Sequence, residues 1–123
     1  MEECNPVDAL SGILMDVPDL VLAYSADERY LFANHAAAAF LNTTPLDIIG
    51  RHWRELGYRS TVMEPLMARV ANVLDTEQPE YYRGTSSPER GEVEHNVSLT
   101  PLRCPDGSVV GVLAIVRAVE GFE

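Results

Sequence analysis

Residues 20–50, LVLAYSADERYLFANHAAAAFLNTTPLDIIG, constrain the fold more than any other stretch. Two short apolar runs, 20–26 and 29–33, read as strands joined by Asp27-Glu28, a connection of hairpin length. Asn34 follows at once. Its side chain can accept from a free N–H of a first helical turn, so it reads as an N-cap. Residues 35–42 then carry four alanines, the best helix former, with Phe40 and Leu41 as apolar anchors. Thr44-Pro45-Leu46-Asp47 repeats the start signal, with Pro at the first helical position and an acid at the third. Gly50 closes that turn in the left-handed conformation.

The flanks complete the pattern. Residues 6–16 form a short helix with Val7, Leu10 and Leu14 on one stripe. Pro18 ends it, because proline disfavours helix in the residue before it. Residues 61–75 are the longest helical segment, with Val62, Leu66, Val70 and Val73 on one side and Met63, Met67 and Leu74 beside them. Thr61-x-x-Glu64 reads as a capping box, although Pro65 removes a donor and would let the helix begin near Glu64. From residue 79 onward the signals are strands. Residues 80–85 form one, 86–91 a turn, and 92–103 a second. In the second, Val93, His95, Val97 and Leu99 alternate with Glu92, Glu94, Asn96 and Ser98. After the turn Cys104-Pro105-Asp106-Gly107, residues 108–119 are apolar on both faces, so both faces must be covered. The second cover is the N-terminal helix or a partner subunit.

A helix, two strands, several helices and three strands make an α+β domain with one five-stranded antiparallel sheet, helices on one face and a short N-terminal helix. Its 123 residues suffice for one domain with a real core. Nineteen acidic residues against nine basic ones give a net charge of −10, which argues against nucleic acid and anionic membrane as partners. Cys4 and Cys104 stand far apart with no CxxC spacing. They read as reduced thiols of a cytoplasmic protein. No apolar run approaches the ~20 residues of a membrane span.

The order of these signals, from about Leu14 to Val119, resembles the PAS family of sensory and dimerisation modules. The strand-end Asn34, Gly50-Arg51 closing a helical region, the long helix at 61–75, three final strands and the Asp106-Gly107 turn carry the likeness. Many PAS domains end in an Asp-Ile-Thr type sequence, where this chain has Arg117-Ala118-Val119-Glu120. The resemblance implies a cap over 1–19, a core domain over 20–120 and a tail over 121–123. It implies a non-enzymatic module that binds a small molecule between sheet and long helix. It further implies a homodimer formed through the N-terminal helix and outer sheet face, with an effector domain as a possible further partner. The alternative is a ligand-free dimerisation platform, and the volume left in the core separates the two.

The implied pocket is lined by Phe40, Ile49, Trp53, Val70, Leu74, Val97, Leu113 and Ile115, with His95 and Arg117 as polar contacts. Each has a plainer reading. His95 on an apolar strand face is more often a core histidine satisfied by a neighbour. Arg117 suits a carboxylate, yet an arginine near a chain end commonly snorkels to water. Trp53 could stack on a ligand or simply pack. Tyr81-Tyr82 puts one ring on each face of its strand. No cofactor is named by the sequence. Haem-binding PAS domains use a His of the long helix, and 61–75 has none. Photoreactive flavin domains use a Cys of the helical region, and both cysteines lie outside it. His35, His52 and His95 lack metal-ligand spacing. A cone-shaped, isomerase-like enzyme fold would open with long helices, whereas this chain opens with a hairpin.

Overall fold

The structure, a computed structural model, describes residues 6–85 and 94–118. In chain order these form α1 (Pro6–Leu14), β1 (Leu20–Tyr24), β2 (Tyr30–Ala33), α2 (His35–Phe40), α3 (Pro45–Ile48), α4 (Ser60–Thr76), β3 (Glu80–Thr85), β4 (Glu94–Arg103) and β5 (Val109–Ala118). The strands make one antiparallel sheet in the order β2-β1-β5-β4-β3. The last strand therefore lies in the middle of the sheet, hydrogen-bonded to β1 on one side and β4 on the other. The expected turn at 86–91 and Val93 lie outside the described residues.

The central position of β5 explains its composition. Val112, Ala114 and Val116 face α2–α4 and join a core with Leu22, Tyr24, Met67, Val70, Val73 and Leu99. Leu113 and Ile115 face the other way, onto Val21, Ala23 and Phe32, where α1 lays down Leu10 and Leu14. The N-terminal helix thus supplies the second cover for a strand apolar on both faces. β4 keeps the alternation read from its sequence, with His95, Val97 and Leu99 buried and Asn96 and Thr100 exposed.

One side chain ties the two layers together. Asn34, fully buried, accepts through Oδ1 from the N–H of Ala37 at 2.9 Å, which is the expected N-cap of α2. The same oxygen accepts from the N–H of Val21 in β1 at 3.2 Å. Its Nδ2 donates to the carbonyls of Leu14, Val17 and Asp19 at 3.0, 3.3 and 2.9 Å. A residue chosen as a cap therefore also holds the end of α1, the segment after it and the hairpin.

Three local expectations are corrected. α4 starts at Ser60, with Arg59 as an N-cap lacking a side-chain hydrogen bond, so the Thr61–Glu64 capping box does not form. Glu64 instead reaches Arg54 at 3.5 Å, and Pro65 is accommodated inside the helix. Cys104 is disulfide-bonded, with its partner outside the described residues, so it is not a reduced thiol. That takes away the argument from free thiols for a cytoplasmic setting. Among the described residues, no helix is long and apolar enough to cross a membrane.

Asn34→Ala strands two buried N–H groups and removes a donor from three part-buried carbonyls, of which Leu14's keeps the N–H of Val17 at 3.4 Å, and it should cost roughly 2–4 kcal/mol in urea unfolding. Asn34→Asp keeps the acceptor but turns a carboxylate oxygen toward the three carbonyls, so it should be no milder than Ala. A near-wild-type Asp variant would show that the donated bonds contribute little. At Gly111 a Cβ would stand 2.5 Å from the backbone oxygen of Tyr24 and 2.8 Å from Leu31. Gly111→Ala should therefore destabilise by about 1–3 kcal/mol through overpacking, measured in the same way.

Candidate functional site

The site is a cavity of about 530 Å³ between the sheet and the first half of α4. The sheet and the helices on its inner face both contribute to it. β1 presents Leu20, Leu22 and Tyr24, β2 Tyr30, and β5 Ala114 and Val116, residues of one face because strand side chains alternate. α2 contributes Ala37 and Phe40, and α4 contributes Val62, Met63, Leu66 and Arg69. The far wall is Tyr82, Arg83 and Gly84 of β3 with His95 and Val97 of β4. Pro65 also lines it and has no N–H to give the carbonyl of Thr61, another lining residue.

The polar groups of the wall divide into committed and uncommitted ones. Arg69 pairs with Glu80 at 3.3 Å and lies over the Tyr82 ring at 3.9 Å. Tyr24 and Tyr30 sit ring against ring at 4.9 Å. Burial pushes both phenols well above the usual range, and each raises or modulates the other, so they are neutral donors at any ordinary pH. Burial likewise raises Tyr82, with the Arg69 charge opposing it. His95 is 7% exposed, and among the described residues its side chain meets the ring of Phe40, edge-on at 6.0 Å and 83°. Burial lowers the pKa of its imidazole, which favours the neutral form.

Of the residues expected to line the pocket, the structure brings Phe40, His95 and Val97 to the wall. The others lie elsewhere, for identifiable reasons. Leu113, Ile115 and Arg117 are on the opposite face of β5, one residue out of phase with Ala114 and Val116. A strand apolar on both faces offers no phase to read. Arg117 is largely exposed and chelates Asp19, with Nη2 2.7 Å from Oδ2. Val70 and Leu74 belong to the second half of α4, which packs directly on the sheet, whereas the cavity spans its first half. Trp53 is buried in the core, its Nε1 donating to Glu28 Oε1 at 2.8 Å, with Arg54 stacked 4.4 Å over its ring. Ile49 is 39% exposed beyond α3.

Among the lining residues missed were Tyr24, Tyr30, Tyr82, Arg69 and the β1 leucines. The alternation Leu20, Leu22, Tyr24 could have flagged one face of β1 in advance. Tyr82 was half-visible, since Tyr81-Tyr82 does send one ring to the cavity side and leaves Tyr81 73% exposed.

A family model described as the PAS fold matches residues 14–122 of this chain. No curated protein sequence matches it. Among solved structures, the chain is similar to VqmA bound to DPO, with TM-score 0.77 and 16% identity, covering 90% of this chain and 57% of that one. It is also similar to a Vibrio cholerae VqmA dimer described in the absence of its target DNA, at TM-score 0.77, 14% identity, 91% and 51% coverage. A sensory box sensor histidine kinase from Vibrio cholerae gives TM-score 0.70 at 16% identity, with 91% and 90% coverage. At such identities the likeness is one of fold. The chain spans little more than half the length of the VqmA chains it matches.

His95 allows a check on the burial of the site. Its pKa in the folded protein is depressed below the 6.5 of an unfolded chain, so the unfolded state binds the proton first. The histidine's contribution is complete above pH 6.5 and is lost as pH falls below that value toward the folded pKa. Unfolding free energies of the wild type and His95→Gln, measured from pH 7.5 to 5, should therefore shift in favour of the variant on acidification. His35 and His52 are common to both proteins. A difference constant with pH would mean that the imidazole is solvated in the folded state.

Proposed function

The chain belongs to the PAS family, and on that premise we propose that it is a non-enzymatic sensory module. In this reading it binds a small molecule in its core, dimerises, and passes the bound state to an effector domain. The observation that carries the reading is the volume between sheet and α4. Trp53, Met63 and Met67 are all buried, yet about 530 Å³ remains. That lies inside the roughly 300–1,000 Å³ typical of small-molecule sites. A ligand-free platform would close this space with side chains, so the cavity favours a sensor over the platform alternative.

Support for dimerisation comes from the outer side of the sheet. α1 covers the part formed by β1, β2 and the middle of β5, but Tyr81 on β3 is 73% exposed and Ile13 on α1 is 72% exposed. The VqmA structure from Vibrio cholerae is described as a dimer. Support for an effector comes from the greater length of the VqmA chains. VqmA is described as having a target DNA. A net charge of −10 argues against this domain itself meeting a phosphate backbone.

Native mass spectrometry of freshly purified protein tests ligand and assembly together. We expect dimers carrying a mass excess over twice the 13.6 kDa chain, lost on denaturation. Dimers without any excess, even after incubation with cell extract, would favour the platform. A bare monomer across micromolar concentrations would remove the dimer from the proposal.

A further inference from the structure

We propose that the molecule recognised in this cavity is uncharged and largely apolar, and that it places one hydrogen-bonding group on the imidazole of His95. This rests on the sensory reading above and adds the chemical class of its ligand.

Two observations carry it. The first is the state of His95. It lines the cavity and is more than nine-tenths buried, and its side chain makes no hydrogen bond or ion pair among the described residues; its contact with Phe40 is through the ring edge. Among the described residues no buried side-chain nitrogen or oxygen lacks a hydrogen-bond partner, so the imidazole nitrogens keep accessible surface, where water can serve them. A molecule that displaces that water without replacing its bond leaves them unpaired, at a cost of about 1–3 kcal/mol. Among the described residues, the space that His95 lines is the cavity. The second is the charge of the walls. Arg69 is already held by Glu80 and by the Tyr82 ring, and Arg83 is also engaged. A carboxylate would have to share Arg69 with Glu80, whose charge repels it and already balances the guanidinium. Apart from Thr61 and the tyrosine hydroxyls, the rest of the lining is apolar.

A neutral imidazole offers one N–H donor and one nitrogen acceptor. A hydroxyl, phenol, amide or ring nitrogen can answer either one. A bare hydrocarbon answers neither and leaves the imidazole unsatisfied, so the pocket should discriminate between molecules of nearly equal size.

Three probes of one shape separate the possibilities: 4-ethylphenol, ethylbenzene and 4-ethylbenzoate, titrated into the full chain and followed by ¹⁵N NMR of backbone and imidazole nitrogens. The phenol should bind about tenfold more tightly than ethylbenzene, the worth of one hydrogen bond to a buried group. It alone should move the His95 ring nitrogens, and the benzoate should bind weakest. In His95→Phe the phenol should lose its advantage. The imidazole shift in the wild type gives the same answer should that variant fold poorly. Equal affinity for phenol and ethylbenzene with unmoved ring nitrogens would overturn the proposal, as would tightest binding of the benzoate; either result leaves the sensory reading standing. Binding of none of the three would also overturn it, and would take the sensory reading with it where native mass spectra show no bound molecule.

Discussion

The amide of Asn34 is the interaction on which the arrangement of this domain depends. It needs a donor and an acceptor on one short side chain. The acceptor holds the start of α2 and the strand β1, and the donor gathers three carbonyls from the segment between α1 and β1. Asp would supply no donor, and Ser or Thr could not reach both sides. Because every member of the network is satisfied, it adds specificity without stranding a buried polar group. Backbone bonds run beside it, from Asn34 N–H to Val21 O at 3.0 Å and from His35 N–H to Met15 O at 3.1 Å. The direction in which α2 leaves the sheet follows from these bonds, and with it the position of Phe40 over the cavity.

The cavity itself follows from an asymmetry in α4. In the second half of this helix Val70 and Val73 join the core cluster with Leu99 and Val112, and neither lines the cavity. The first half stands off from the sheet. There the sheet offers Ala114 and Gly84, which are small, while the rings of Tyr24, Tyr30 and Tyr82 surround the gap rather than fill it. Pro65 in the same half gives up one helical hydrogen bond. A core that packs tightly at one end and opens at the other is what a binding domain of this size requires, because the packed end stabilises the fold that the open end cannot.

How far the sequence was legible depended on whether each element had one dry face or two. β4, with charged or polar residues on every second position, announced its own phase, and His95 and Val97 were placed correctly on the inner side. β5 is dry on both faces, so Leu113, Ile115 and Arg117 could be read on the cavity side as easily as Ala114 and Val116. Period-2 reasoning has no information at such a strand. Capping showed the same divide. Asn34 and Thr44 cap as their types suggest, each with its side-chain bond, whereas α4 ignores its Thr-x-x-Glu signal and starts at a bare Arg59. Tertiary packing of Met63, Met67 and Val70 outweighed a cap worth about 1 kcal/mol. Trp53 was ambiguous for another reason. Its partner Glu28 sits in the hairpin turn at φ 67, 25 residues away, and no local pattern reports that bond.

The same strands that hide their phase also link the two sides of the domain. β1 and β5 have Leu20, Leu22, Ala114 and Val116 on the cavity face, and Val21, Ala23, Leu113 and Ile115 on the face that seats α1. Each residue of one set is covalently next to a residue of the other. A close-packed sheet does not deform on one face alone. A molecule that spreads or tightens these strands at the cavity therefore shifts the floor under Leu10 and Leu14. The end of α1 is held to the same hairpin by Asn34, so it cannot remain behind. On the sensory reading proposed above, the outer face, where exposed Ile13 and Tyr81 lie, would read the cavity through one peptide unit rather than through a chain of side chains. No separate relay is needed for a domain built this way to couple occupancy to assembly.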